Sequence, residues 1–246
     1  SGGTATPLFS SVSIAASGTY TMYARAEKPA DVDPGNDEIQ GTFVVLAPLC
    51  GVYLVGTGQP APFDRLTTAV ARLVELGVGC AVEFQLTDAS YSAGETFPIT
   101  IDPIPGASAV NTFTLRPAPA ATVAISGSSA TSVIRLNGAD HVIIDGSNDG
   151  TSTRDLTITN TSSAASTAAL WLSSLGAGAG CTFDTLRNCT LSCGTDQASG
   201  VTATYGVLAS GASCNETSDG ADNDDITLLN NSIVRVRNGI WIRGAA

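Results

Sequence analysis

Short apolar segments recur in sets of three along the second half of the chain. They follow the order first, second, third, first, and each circuit takes about 33 to 37 residues without a helical pattern between them. The first set is 98–101, 133–136, 169–172, 206–209 and 239–242; the second is 112–115, 142–145, 183–186 and 226–229; the third is 123–126, 156–159, 189–192 and 233–236. Strands at a fixed period bury one face against the next repeat. The pattern predicts an all-β fold, a parallel β-helix with three strands per coil over residues 97–246.

One position keeps a glycine or an asparagine from coil to coil. Gly146, Asn188 and Asn230 each lie where the second strand passes into the third. These residue types tolerate a left-handed backbone at a sharp corner. Asparagine can also hydrogen-bond to its counterpart in the next coil. We therefore predict a left-handed corner with an asparagine ladder.

Residues 48–96 are expected to form the entry to the β-helix. A helix is predicted over residues 64–76, with Asp64 as its N-cap and Gly77 at its end. Its apolar stripe comprises Leu66, Ala69, Val70, Leu73 and Val74. Because the first coil of a stack exposes an apolar end and unpaired strand edges, we expect this helix to cap it.

Residues 1–47 read as antiparallel strands joined by an acidic turn. The strands are too few for a complete sandwich, so a partial β-sandwich is predicted. In the turn, oxygen ligands at this spacing suit Ca²⁺. An ordinary hairpin loop stabilised by Asx turns is the alternative interpretation. The candidate ligands are Asp31, Asp33, Asn36 and Asp37.

The six cysteines lack CxxC spacing, and the chain has a single histidine, so a zinc site is not expected. An even count with wide spacing favours disulfides in an exported protein, whereas buried free thiols in a cytosolic protein are the alternative. The predicted disulfides are Cys50–Cys80 and Cys181–Cys214. Cys189 and Cys193 are expected to be inward-facing thiols, because an extended strand holds them too far apart to pair.

Strand alternation predicts one exposed column on the first strand set. With Ile134, Leu170, Val207 and Ile240 facing inward, the outward side chains are Arg135, Trp171, Leu208 and Trp241. Aromatic rings of this kind bind sugars or partner proteins. A loop that folds over the rings and buries them is the alternative.

Over residues 97–244 the coil pattern and its corner asparagines resemble the pectin-lyase-like superfamily of right-handed parallel β-helices. The segments before it resemble an immunoglobulin-like module and the entry segment of secreted bacterial β-helix proteins. The resemblance implies an extracellular or cell-surface location, and for its hydrolases Asn-Thr-Asp, Gly-His-Gly and Arg-x-Lys motifs. This chain has none of these motifs, and Asp224-Asp225 is its one acidic match. His141 has no evident carboxylate partner and is interpreted as structural.

The net charge of −11 argues against nucleic-acid binding and against adsorption to anionic lipid. Apolar runs are too short for a membrane helix, so no membrane insertion is expected. The chain starts without Met, which suggests an excised piece, and its last coil is followed by no cap. We therefore predict a non-catalytic structural protein without a cofactor that assembles head to tail with other copies of itself as a filament, stalk or adhesin. A polysaccharide-binding module, or a fragment of a polysaccharide lyase or hydrolase, is the alternative.

Overall fold

The computed structural model describes residues 14, 16–25, 35, 38–194 and 203–245. The chain divides into two compact units, Ser1–Ala47 and Pro48–Ala246. The predicted boundary after residue 47 therefore coincides with the division between the units. The candidate calcium ligands Asp31, Asp33, Asn36 and Asp37 lie outside the described residues.

The first unit contains an antiparallel pair of strands, β1 (Gly18–Arg25) and β2 (Glu38–Val45). Tyr20 stacks on Phe43 with ring centroids 5.7 Å apart. Met22 and Phe43 are nevertheless exposed, as are other apolar side chains of the pair. In the described part of this unit the pair is a two-stranded sheet, and two strands alone cannot bury an apolar face.

The second unit is a parallel β-helix, as the repeat pattern predicts. Its strands are β3 (Leu49–Val55), β4 (Val78–Leu86), β5 (Ser90–Tyr91), β6 (Ile99–Ile101), β7 (Phe113–Pro117), β8 (Val123–Gly127), β9 (Ser132–Asn137), β10 (Val142–Asp145), β11 (Leu156–Asn160), β12 (Ser166–Ser173), β13 (Thr185–Arg187), β14 (Cys189–Cys193), β15 (Ala203–Ser210), β16 (Thr227–Leu229), β17 (Ser232–Val234) and β18 (Asn238–Ile242). One helix, α1 (Leu66–Leu76), lies between β3 and β4.

The three predicted strand sets form three parallel sheets. The sheet orders are β18-β15-β12-β9-β6 for the first set, β16-β13-β10-β7-β4-β3 for the second and β17-β14-β11-β8-β5 for the third. Residues at equivalent positions of successive coils are register partners; Leu170 pairs with both Ile134 and Val207. These three side chains are buried, and the interior between the sheets is filled by such aliphatic columns. The fold therefore follows from alternation within each strand and repetition between coils.

Helix α1 packs against β3 and β6, which are the first strands of their sheets. Its buried residues are Leu66, Ala69, Val70 and Leu73, which are four of the five residues of the predicted apolar stripe; Val74 is half-buried. Gly77 ends the helix with a φ of 68° and donates its N–H to the carbonyl of Leu73 at 2.8 Å. The predicted helix therefore covers the first coil.

The N-cap prediction was wrong. Arg65, and not Asp64, occupies the N-cap position, and its side chain makes no capping hydrogen bond. The carboxylate of Glu95 instead accepts the N–H groups of Leu66 at 3.0 Å and Thr67 at 2.7 Å. Because the acceptor comes from a loop about 30 residues further on, local sequence gave no signal for it. The predicted disulfide Cys50–Cys80 is confirmed and links β3 to β4.

Candidate functional site

The predicted outward column on the first sheet is confirmed in its register. Trp171 pairs with Arg135 in the preceding coil and with Leu208 in the following coil, and Leu208 pairs with Trp241. The guanidinium of Arg135 lies over the Trp171 ring at 4.3 Å from its centroid. A desolvated cation over an indole ring is favourable, so these two side chains hold each other in place.

The expected exposure of this column was wrong for its two central residues. Trp171 is 2% exposed and Leu208 is fully buried, whereas Trp241 is 36% exposed. Trp171 and Leu208 form a small apolar cluster outside the sheet together with Tyr205 and with Cys214 from the loop after β15. The loop that follows β15 therefore covers the Trp171 ring, as the alternative interpretation expected, whereas the Trp241 ring stays exposed.

Polar contacts tie the covered column to its neighbours. The Trp171 indole N–H donates to the Ser210 hydroxyl at 2.9 Å, and Arg135 donates to the Ser173 hydroxyl at 2.8 Å. Burial lowers the pKa of Arg135 from its ordinary value. Asn137 donates to Asp102 at 2.6 Å. The outer face of the first sheet is therefore a packed layer and not an open groove.

The predicted disulfide Cys181–Cys214 was wrong. The Cys181 thiol lies in the interior, where it donates to the Leu136 carbonyl at 3.3 Å, whereas Cys214 packs outside the first sheet. The sheet separates the two sulfurs, so equivalent loop positions did not bring them together. Both are free thiols, and burial raises the pKa of each to about 12. The expectation that Cys189 and Cys193 are buried free thiols is confirmed.

The asparagine corner, which we define as Gly146, Asn188 and Asn230, contains the predicted ladder. Asn188 and Asn230 have φ angles of 58° and 53°. The Asn230 side-chain amide donates to Asn188 Oδ1 at 2.8 Å, and the Asn188 amide donates to Asp145 Oδ1 at 2.8 Å. Each amide therefore satisfies an acceptor in the preceding coil. The ladder prediction is confirmed for the two asparagines.

Gly146 fills this corner for a different reason than predicted. Its φ is not in the left-handed region. A Cβ atom at this position would lie 1.9 Å from the carbonyl oxygen of Asn188. The glycine is therefore required by the close approach of the next coil, because a side chain would collide with backbone that cannot move aside.

A loop between β10 and β11 extends the asparagine corner across two coils. Arg154 donates to the Asn230 carbonyl at 2.8 Å and to its Oδ1 at 2.6 Å, and Asn230 donates to the Ser152 carbonyl at 2.9 Å. Beside this loop, Arg187 pairs with the Asp145 carboxylate at 2.9 Å. Sequence reasoning missed the contacts of this loop with Asn230 because they join residues more than 70 positions apart.

A second corner, which we call the aromatic corner, consists of His141, Phe183 and Asp225. Their φ angles are 59°, 58° and 52°. Each lies two residues before one of the register partners Ile143, Thr185 and Thr227, so the three positions are equivalent in successive coils. The His141 and Phe183 rings stack at 5.1 Å with an interplanar angle of 6°, and Phe183 is 55% exposed.

The aromatic corner was not predicted, although His141 was singled out as structural. The available signal was its spacing, since His141, Phe183 and Asp225 each lie at or directly before the start of a segment of the second set. Phenylalanine is unusual at positive φ because its bulk makes the left-handed region costly, whereas histidine and aspartate are found there more often. The spacing alone therefore indicated a corner, but the residue type of Phe183 argued against one.

Asp184 lies directly after the aromatic corner and faces the interior. Its Oδ1 accepts the Val142 N–H at 2.8 Å, while its Oδ2 is buried without a hydrogen-bond partner. Burial, with a smaller contribution from the charge of Asp140, raises the pKa of Asp184 from 3.8 to about 8. This carboxyl group is enclosed by core side chains and faces no groove.

Other candidate chemical groups are dispersed. Asp224 and Asp225 are exposed, and the backbone carbonyl of Asp224 accepts the Phe183 N–H at 3.3 Å. Within the described residues, no group of three His, Cys, Asp or Glu side chains is placed to hold a metal ion. In the same part of the chain, no helix has the length and apolar character to cross a membrane.

No family model, curated protein or solved structure matches the chain.

Proposed function

We propose that this chain is a non-catalytic structural module of an extracellular or cell-surface protein and that it assembles head to tail with further copies. The observation that carries the proposal is the last coil. Its strands β16, β17 and β18 each stand at the end of a sheet, with one edge unpaired by the described residues. Unpaired edges of this kind readily accept another strand.

Apolar side chains accompany these edges. Ile240 occupies the same column as Ile134, Leu170 and Val207, but it is 49% exposed whereas the other three are buried. The large apolar residues exposed in this coil are Leu229, Val234, Ile240, Trp241 and Ile242. Covering them contributes about 25 cal/mol for each Å² removed from water. A further layer of β-structure would satisfy the backbone edges and the apolar side chains together.

The proposed occupant is the first unit of another copy. The pair β1–β2 exposes apolar residues, and within the described residues its outer strand edges are unpaired, so it offers a surface of the same kind as the last coil. Charge also favours this contact. Residues 1–47 carry five acidic and two basic side chains, whereas residues 232–246 carry three arginines and no acid. A head-to-tail contact that does not close into a ring produces a filament.

The test is light scattering of the 246-residue chain over a concentration series. We expect assemblies that grow with concentration, and a shift toward monomer when Ile240 and Ile242 are both changed to Asp. Val110→Asp is the matched control, because Val110 is an exposed apolar residue in the loop between β6 and β7. A monodisperse wild-type monomer at high concentration contradicts the proposal.

Removal of residues 1–47 tests the occupant. Since the division between the two units lies at Ala47, the second unit should keep its strand signal in circular dichroism. Assembly should be lost. Persistent assembly of the shortened chain would mean that last coils pair with each other or with another part of the β-helix.

A further inference from the structure

We propose that the aromatic corner is a binding platform for a neutral oligosaccharide, with the Phe183 ring as its stacking surface and the Asp225 carboxylate as its hydrogen-bond acceptor. This inference is independent of assembly through the last coil. It assigns glycan binding to a different place from the outward column, whose Trp171 is buried.

The choice of Phe183 at this corner is hard to explain by stability. A left-handed conformation costs an L-residue roughly 1–2 kcal/mol, and asparagine or glycine avoids most of that cost. The same coils place Asn188 and Asn230 at their other corner, where the conformation is the same. At the aromatic corner His141 and Asp225 are of types that are found at positive φ, but Phe183 is not. Strained residues held at exposed positions are typical of binding sites.

The geometry leaves one face of the Phe183 ring available. Because the rings are nearly parallel, His141 covers the face of Phe183 that is directed to the preceding coil. The equivalent position in the following coil is Asp225, which has no ring. The stack therefore stops after two members, and Phe183 is 55% exposed. A pyranose ring can stack on the exposed part of this face, beyond the short Asp225 side chain.

The chemistry around this face selects the class of sugar. Carbohydrates present a C–H-rich face to an aromatic ring and hydroxyl donors at their edges. Asp225 and Asp224 are exposed carboxylates at the end of the stack and accept hydroxyl hydrogen bonds. Their charges, within a chain of net charge −11, repel uronic acids and sulfated sugars. The ligand is therefore an uncharged oligosaccharide.

Isothermal titration calorimetry with cellohexaose, laminarihexaose and mannohexaose, with hexagalacturonate as the charged comparison, tests the platform. Wild-type protein should bind at least one neutral hexasaccharide and should not bind hexagalacturonate. Phe183→Asn should weaken binding at least tenfold, because asparagine suits the corner but offers no stacking face. Asp225→Asn should weaken binding several-fold, since an amide oxygen is a poorer acceptor than a carboxylate.

Trp241→Ala is the matched control, because it removes an exposed ring from the last coil and leaves the aromatic corner intact. Thermal melts of each variant separate loss of binding from loss of fold. The proposal is overturned if wild-type protein binds none of the neutral sugars, or if Phe183→Asn binds like the wild type. It is also overturned if Trp241→Ala, and not Phe183→Asn, abolishes binding. Loss of assembly in the last-coil variants with sugar binding unchanged would confirm that the two sites are separate.

Discussion

At the asparagine corner, Asn188 and Asn230 adopt positive φ angles, and each amide donates to an acceptor in the coil before it. At the aromatic corner, the same backbone conformation is held by His141 and Phe183, whose rings stack but are partly exposed. The asparagine corner matches residue type to backbone conformation, whereas the aromatic corner departs from that match at Phe183. The difference indicates that the residues at a β-helix corner can either stabilise the fold or serve a purpose other than stability.

The interior next to each corner differs in the same way. Beside the asparagine corner, the Asp145 carboxylate accepts hydrogen bonds from Arg187 and Asn188. Beside the aromatic corner, one oxygen of Asp184 is buried without a partner. Buried polar groups are costly when they lack partners and nearly neutral when they are paired. We therefore expect perturbations to have different signs at the two corners.

The largest expected effect is the pH dependence caused by Asp184. Because its folded-state pKa is raised to about 8, the folded protein keeps the proton between about pH 4 and pH 8 while the unfolded chain releases it. Stability from this group is therefore fully present below about pH 4 and falls as the pH rises to about 8. The predicted loss over this range is on the order of 5 kcal/mol.

Asp184→Asn checks this prediction by denaturant unfolding at several pH values. The amide oxygen can still accept the Val142 N–H, but the side chain no longer titrates. We expect the variant to be more stable than the wild type at pH 8 and to show a weaker pH dependence. Asp145→Asn is the comparison from the paired site, where loss of the charge should destabilise. Parallel pH profiles for Asp184→Asn and wild type would contradict the assignment.

Asn188→Val should be the most harmful single change at the asparagine corner. Valine is strained at positive φ, and the substitution also removes the donor to the buried Asp145. The expected loss is about 4 kcal/mol, whereas Asn188→Gly keeps the backbone freedom and should cost about 1–2 kcal/mol. Equal melting temperatures for the two variants would contradict the claim that the positive φ at Asn188 makes valine costly there.

Gly146→Ala tests the close approach between coils. Its Cβ would be 1.9 Å from the Asn188 carbonyl oxygen, so the two coils must separate locally. We expect a loss of about 3 kcal/mol in denaturant unfolding, the upper end of what overpacking costs. Gly239→Ala is the matched control, because a Cβ there meets no atom within 4 Å. A neutral Gly146→Ala variant would show that the coils yield easily at this point.

The sequence was sufficient to predict the three sheets, the position of α1 and the asparagine ladder, because each depends on a short-range repeat. Alternation fixes which side chains face inward, and a fixed period aligns Asn188 with Asn230. The prediction that Arg135, Trp171, Leu208 and Trp241 form one outward column was correct for the same reason. Its burial was not predictable, since the loop carrying Cys214 has no period and its path depends on tertiary contacts.

The errors also have physical causes. Cys181 and Cys214 follow equivalent strands, so sequence position suggested proximity, but strand alternation and the loop path put them on opposite sides of the first sheet. The aromatic corner was not predicted, because the residue type of Phe183 disagrees with its backbone conformation. Such disagreements mark the positions where local rules are overridden, and they are expected at functional sites.

The smallest expected effect is the stability change of Phe183→Asn, and it bears most directly on the comparison of the two corners. Asparagine relieves left-handed strain worth roughly 1–2 kcal/mol, while the lost stack on His141 costs about 0.5–1.5 kcal/mol. The two contributions nearly cancel, so thermal unfolding should place the variant within about 1 kcal/mol of the wild type. The reciprocal change, Asn188→Phe, has no such compensation, because it buries a bulky strained ring and breaks the ladder. If Phe183→Asn instead costs as much as Asn188→Phe, the Phe183 ring is a structural necessity, and the aromatic corner belongs to the packing of the fold.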